Sequence, residues 1–192
     1  MAVIRAFIAV TLPPEVRHFL TDLQRKVRQA ADVPVKWVET ENLHLTLAFL
    51  GNVDETKTPD ISKIMHTAAA GAQPLTLKVA GLGVFPNPRR PRIVWAGLTG
   101  DVPELQRLQW AVAEGLATLG FPRDDKPFRP HLTLGRVRDS ASSVQSETLG
   151  RAVAGLAATG ERSFSVADVH LIKSQLTGSG PIYTVIGSAK LG

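Results

Sequence analysis

The chain carries the same four residues twice, His44-Leu45-Thr46-Leu47 and His131-Leu132-Thr133-Leu134, at an offset of about 87 residues. The segments around the two copies repeat in the same order. Arg5 to Thr11 and Arg92 to Leu98 are rich in β-formers and read as strands, and each leads into a helix. Pro13-Pro14-Glu15 opens the first helix, with Val16, Phe19, Leu20, Leu23 and Val27 at helical spacing. Asp101, with Glu104 three residues on, caps the second, whose stripe is Leu105, Leu108, Val112 and Leu116. The motif strands follow: Leu43 to Leu50, which stops at Gly51-Asn52, and His131 to Val137. Another pair of helices comes next, one with Ile61, Ile64, Met65 and Ala68 on one side, the other from Val144 to Ala158. Leu75 to Val84 and Ser163 to Ile172 close the two halves as strands. Val35 to Val38 is a short extended piece, and the prolines of Phe85 to Pro91 make that segment a loop. A last strand, Ile182 to Ile186, follows the turn at Gly178 to Pro181. The period is too long for a solenoid repeat.

Alternating strands and helices would also suit a parallel Rossmann-type sheet, but the chain has neither a G-x-G-x-x-G nor a G-x-x-x-x-G-K-[ST] phosphate loop. The expected fold is α+β, made of two duplicated lobes at roughly residues 1–85 and 92–172, with the C-terminal strand 182–186 added. Neither half has enough strands to bury its own sheet face, so residues 1–192 are expected to form one bilobal domain around a central cleft. The absence of cysteine removes disulfides, thiol nucleophiles and Cys-bound zinc or iron–sulfur clusters together. Arg5 interrupts the first apolar run and Pro13-Pro14 ends it, so the reading expects no signal peptide, no membrane span and a cytoplasmic protein. A net charge of +5 favours anionic partners without naming one. Arg89, Arg90 and Arg92 cluster with no acid between them, and Arg123, Lys126, Arg129, Arg136 and Arg138 outnumber Asp124 and Asp125. The plain reading of either cluster is a solvated face.

Strand side chains alternate, so His44 and Thr46 point one way while Leu45 and Leu47 point the other, and the second copy does the same. One H-x-T on a strand is commonly a half-buried polar pair. Two in equivalent positions are not explained by packing, which valine would satisfy at the histidine sites. Two imidazoles titrating near neutrality across a cleft suit acid–base chemistry, one taking a proton while the other gives one. Phosphodiester hydrolysis needs that pair at opposite ends of an in-line displacement. The hydroxyls of Thr46 and Thr133 can donate to the non-bridging phosphate oxygens. Arg136 points away from this face by strict alternation, but a bulge at Gly135 would turn it back toward a phosphate.

At these residues the chain resembles the two-histidine (2H) phosphoesterases, and within them the LigT-like RNA 2′,3′-cyclic phosphodiesterases of bacteria and archaea once described as 2′-5′ RNA ligases. The resemblance is carried by Arg5-Ala-Phe-Ile-Ala-Val, by Trp37 to Gly51 around the first motif, by Phe85 to Arg92, by Phe128 to Leu134 and by Gly180-Pro-Ile-Tyr183. It implies antiparallel sheets about the cleft and opening of a terminal 2′,3′-cyclic phosphate to a 2′-phosphate without metal or cofactor, with reversible 2′-5′ joining. It also implies His44 as the acid on the 3′-oxygen, His131 as the base on water and Arg136 as a phosphate contact. The partner it implies is RNA with a 2′,3′-cyclic phosphate end, handled by a monomer. Two other readings stay open: a sister activity on small cyclic nucleotides such as ADP-ribose 1″,2″-cyclic phosphate, and a non-catalytic module that binds RNA ends.

Arg89, Arg90 and Arg129, in loops near strand ends, are candidates to hold an RNA backbone. Among Trp37, Phe49, Phe85, Phe128 and Tyr183, Tyr183 is the best candidate to stack on a base, whereas Phe49 follows the alternation of a core residue. His18 and His66 read as surface residues, and His170 as either a cleft or a solvated residue. No two histidines have H-x-H or H-x-x-x-H spacing, so no zinc site is expected.

Overall fold

The computed structural model describes residues 2–123, 125–157, 160–178 and 180–192. Asp124 of the second basic cluster, Ala158 at the expected end of the last helix and Ser179 in the expected final turn lie outside the described residues. The elements run β1 (Val3–Thr11), α1 (Pro14–Ala30), β2 (Val35–Trp37), β3 (His44–Asp54), α2 (Thr58–Ala70), β4 (Leu75–Phe85), β5 (Ile93–Gly100), α3 (Val102–Thr118), β6 (His131–Val137), α4 (Ser143–Gly155), β7 (Glu161–Val166), β8 (Asp168–Thr177) and β9 (Gly180–Lys190). Two sheets result, ordered β3-β1-β8-β9 and β2-β6-β5-β4-β7. Every pairing is antiparallel. The fold is α+β with duplicated lobes.

The sheets do not follow the expected lobe limits. β4 belongs to the first half of the sequence but pairs with β5 in the second sheet, while β8, from the second half, pairs with β1 in the first. A short loop explains the first crossing, because antiparallel strands joined by a few residues pair with each other. The equivalent strand of the second half makes the reciprocal move. It does so by splitting: the single strand expected from Ser163 to Ile172 is two strands, β7 on β4 and β8 on β1, parted at Ala167. Val166 and Val169 are both buried three residues apart, a phase slip that one straight strand cannot accommodate. Helices are exchanged in the same sense. α1 packs beside β6, β7 and α4, whereas α3 packs beside β3 and α2.

Two smaller expectations also change. β3 does not stop at Gly51-Asn52 but continues to Asp54, passing Gly51 at a left-handed φ of 66° that glycine tolerates. Asp101 precedes α3 without capping it; its carboxylate accepts the backbone N–H of Thr76 instead, and Glu104 pairs with Arg107. α4, by contrast, starts with a reciprocal capping box between Ser142 and Gln145.

One contiguous buried cluster runs through both halves, from Ile4 on β1 to Leu191. Among the described residues, no helix is long and apolar enough to cross a membrane. Because of the exchange, a fragment of residues 1–91 would keep β1 and β3 as a two-stranded remnant and leave β2 and β4 without partners. Such a fragment is expected to show no cooperative thermal transition by circular dichroism. A cooperative transition would contradict the exchanged topology.

Candidate active site

β3 and β6 pack against each other where the two sheets meet. Leu45, Leu47, Leu132 and Leu134 are buried in the shared core, so His44, Thr46, His131 and Thr133 fall on the opposite, open faces, each half-buried. The registers match between lobes. His44 stands opposite Thr11 and Thr46 opposite Ala9; His131 stands opposite Gly97 and Thr133 opposite Trp95.

Each imidazole is held in the same way. Nδ1 of His44 lies 2.6 Å from the carbonyl oxygen of Asn42, and Nδ1 of His131 lies 2.6 Å from that of Arg129, in both cases two residues back. A carbonyl oxygen only accepts, so Nδ1 carries the hydrogen, and Nε2 is the atom left to gain or lose a proton. An aromatic ring meets each imidazole edge to face: Tyr183 at 5.4 Å and 86° for His44, Phe85 at 5.2 Å and 87° for His131. Phe7 adds a tilted contact at 4.8 Å to His44. Burial among these rings pushes the His44 pKa below the ordinary histidine value, only partly offset by the hydrogen bond to Asn42. Burial likewise raises the Tyr183 phenol, against the pull of Arg136 from the second sheet and Arg5 from the first. Tyr183 therefore keeps its hydroxyl proton as a donor near neutral pH.

Each motif strand carries an extra residue just beyond its threonine, and β3 carries a second at Leu50. Across β1 and β3, Ala9 faces Thr46 but Ile8 faces Ala48; across β5 and β6, Trp95 faces Thr133 but Val94 faces Gly135. Leu47 and Leu134 are thus the extra residues of equivalent bulges, and the alternation reverses after them. On β6 the reversal puts Arg136 on the same face as Thr133 and His131, opposite Ile93. Gly135 is needed there, because a Cβ would lie 2.6 Å from Cγ1 of Val35. On β3 the same reversal overturns the expectation for Phe49. Rather than entering the core it is 74% exposed on the open face, its ring centroid 6.4 Å from that of Phe7.

Two glutamines, unremarked in the sequence, support these bulges. Gln24 on α1 is 3% exposed, and its Nε2 donates to the carbonyls of Val38 at 2.8 Å and Leu134 at 2.9 Å. Gln109 on α3 donates to the carbonyl of Leu47 at 3.3 Å. A helix from each half therefore holds the extra residue of the other half's motif. The signal was available for Gln24, a polar residue within the buried stripe of Leu20, Leu23 and Val27.

Among the remaining candidates, Arg89 and Arg90 are exposed, their backbone N–H groups donating to the Asn87 side chain in a turn. Arg92 pairs with Asp139 at 2.7 Å. Arg129 gives its carbonyl to His131 while its side chain is exposed. Lys36 on β2 lies beside Arg136 in the register and was not singled out from sequence, because its three-residue strand carries no motif. His170 takes Ser188 on Nδ1 and Asp168 on Nε2, both at 2.8 Å, which accounts for both of its nitrogens. Among the described residues, no three His, Asp or Glu side chains gather to hold a metal. A cavity of about 120 Å³ opens beside His44, lined in part by Arg17, Glu41, Asn42, Ile172 and Tyr183. A larger hollow of about 420 Å³ lies between α2 and α3, away from both motif histidines.

A family model described as LigT like phosphoesterase matches residues 10–95 and 99–183. The chain is 37% identical over 182 residues to an RNA 2′,3′-cyclic phosphodiesterase of Methanothermobacter thermautotrophicus, covering 94% of this chain and 95% of that protein. It is 32% identical over 195 residues to an RNA 2′,3′-cyclic phosphodiesterase of Aquifex aeolicus, covering all of both chains. The crystal structure of E. coli LigT complexed with 3′-AMP is similar at a TM-score of 0.79 and 25% identity, over 99% of each chain.

The buried glutamine gives a direct test of the support for the second bulge. Q24L leaves the Val38 and Leu134 carbonyls each one donor short and is expected to lower the unfolding free energy by about 1–3 kcal/mol in urea. A loss below about 0.5 kcal/mol would mean that the amide does no such work. His44 gives a second test. Its folded pKa lies below the unfolded one, so the unfolded chain binds the proton more readily, and the stability this group contributes above about pH 6.5 is lost as pH falls through the folded value. H44Q is expected to flatten the fall in stability on the acid side of about pH 6.5. An unchanged slope would contradict the burial of this imidazole.

Proposed function

The chain belongs to the LigT-like phosphoesterase family, and on that footing we propose that it is an RNA 2′,3′-cyclic phosphodiesterase whose acid–base pair is His44 and His131. It is a hydrolase of phosphoric diesters that opens the terminal cyclic phosphate to a 2′-phosphate. The observation that carries the reading is the matched anchoring of the two imidazoles, each fixed through Nδ1 to a backbone carbonyl with Nε2 left for the substrate. Thr46, Thr133 and Arg136 supply donors on the same faces, at the place where the non-bridging oxygens gather charge.

In this mechanism Nε2 of His131 takes a proton from water as the water oxygen attacks phosphorus. His44, as imidazolium, gives its Nε2 proton to the 3′-oxygen as the P–O3′ bond breaks. A 2′-phosphate and a free 3′-hydroxyl result, and the proton borne by His131 returns to bulk solvent as His44 is recharged. The 5′-hydroxyl of a second RNA in place of water would leave a 2′-5′ bond, which is the joining reaction. Burial makes imidazolium costly at His44 in the free protein, but the anionic diester at Nε2 favours it again. Both motifs lie on one chain, so the site needs no second copy.

An oligonucleotide ending in a 2′,3′-cyclic phosphate should be hydrolysed in the presence of EDTA, and H44A and H131A should each lower kcat/KM by about 10²–10⁴-fold. Loss of turnover on chelation, or turnover surviving either substitution, would sink the two-histidine mechanism. The active form carries one proton on the pair, whichever imidazole holds it, so binding of the second proton ends activity on the acid side. The group that burial pushes down sets that limb. The acid limb of kcat/KM should therefore have its midpoint below about pH 6.5, and a midpoint above it would contradict the assignment of His44.

A further inference from the structure

β2 is the edge strand of the second sheet, and it puts Lys36 directly opposite Arg136, which has Ile93 on its other side. Val35 and Trp37, the neighbours of Lys36, pack against the core. Lys36 therefore stands on the open face with Arg136, and both side chains are exposed. Residues opposed in an antiparallel pair hold their Cβ atoms about 4.5–5.5 Å apart, close enough for two like charges to repel. No carboxylate relieves that repulsion: among the described residues, neither Lys36 nor Arg136 is in an ion pair. Near the opposite edge of the same sheet, by contrast, Lys78 on β4 meets Glu161 on β7 at 3.0 Å. A lysine on an edge strand is by itself a guard against stray pairing. Set against the arginine of a phosphate site, it adds a repulsion that a polyanion would relieve. The charge of Arg136 acts on the Tyr183 phenol of the first sheet, which places the guanidinium near the junction of the sheets. Lys36 lies one strand further out, at the free edge.

Resting on the cyclic-phosphodiesterase reading, we propose that Lys36 holds the phosphodiester immediately upstream of the terminal nucleotide, next to the cyclic phosphate that Arg136 faces, and so sets a preference for RNA ends over free cyclic mononucleotides. Two adjacent cations with no acid between them match two successive phosphates of one strand. A nucleoside cyclic phosphate has only the first of these, so it leaves Lys36 without a ligand and the repulsion with Arg136 half relieved. An RNA end satisfies both. Contact through the phosphate is blind to base identity, because the backbone carries the same charge in every sequence. No strand lies beyond β2 to block the chain as it leaves the sheet.

The test compares kcat/KM for two adenine dinucleotides ending in a 2′,3′-cyclic phosphate, one with an ordinary internal phosphodiester and one with an uncharged methylphosphonate in its place. Both are assayed with the wild type, K36Q and K36E. The wild type should prefer the charged linkage by about 3-fold to 30-fold, the range for one phosphate contact from an exposed cation. K36Q should bring that ratio close to one, and K36E should invert it. The readout is a ratio within one preparation, so any loss of folded protein cancels from it. An active wild type with no preference, or variants that keep the full wild-type preference, overturns the Lys36 assignment alone. A wild type inactive on both dinucleotides and on longer cyclic-phosphate-ended RNA overturns the reading beneath it, and the assignment with it.

Discussion

Each half of the chain gives its last long strand to the sheet of the other half, and the site depends on that exchange. β4 and β5 pair because the loop between them is short, and β8 then completes the first sheet beside β1. With the outer strands exchanged, β3 and β6 are left as the strands that face each other across the junction. Separating the two halves of the sequence would break hydrogen bonds within both sheets, while β3 and β6, which belong to different sheets, are held against each other by packing in the shared core. The crossed helices add a second tie, in which a glutamine from each half grips the carbonyl of the extra residue in the other half's motif.

On that frame the two lobes match at the histidines and threonines and differ just beyond them. Both imidazoles are fixed through Nδ1 to the carbonyl two residues back, and both make an edge-to-face contact with an aromatic ring from another strand of the same sheet. Beyond the threonines the match ends, with Phe49 on one side and Arg136 on the other. An acid and a base must do opposite things to one phosphate, and a duplicated scaffold supplies two similar groups in opposed positions. Their surroundings differ: His44 lies against Phe7 and Tyr183, where burial disfavours its charged form.

Much of this was legible in the residues, and the failures have identifiable causes. The duplicated tetrapeptide marked the motif strands, and alternation placed His and Thr opposite the leucines. Periodicity identified β4 as a strand but could not say which sheet it joins, since that depends on the loop that follows and on the partner that loop puts within reach. The division at Ala167 is hidden because β7 and β8 are nearly continuous; only the three-residue spacing of Val166 and Val169 betrays it. A bulge inserts a residue without altering composition, so Gly135 hinted at the reversal on β6 while nothing comparable preceded Phe49, which alternation sent into the core. Gln24 stood in a buried helical stripe, but its acceptors are 14 and 110 residues away, a relation only the folded chain reveals.

Central to the proposed mechanism is a pair of imidazoles that keep hydrogen on Nδ1 and would offer Nε2 to one phosphate. Long-range ¹⁵N–¹H correlation spectra of histidine-labelled protein read that state directly, with and without inorganic phosphate. His44 and His131 should both show the Nδ1–H tautomer when neutral, and the Nε2 signals of both should move along one common phosphate-binding curve. An Nε2–H tautomer at either residue, or a response confined to one of them, would contradict the mechanism.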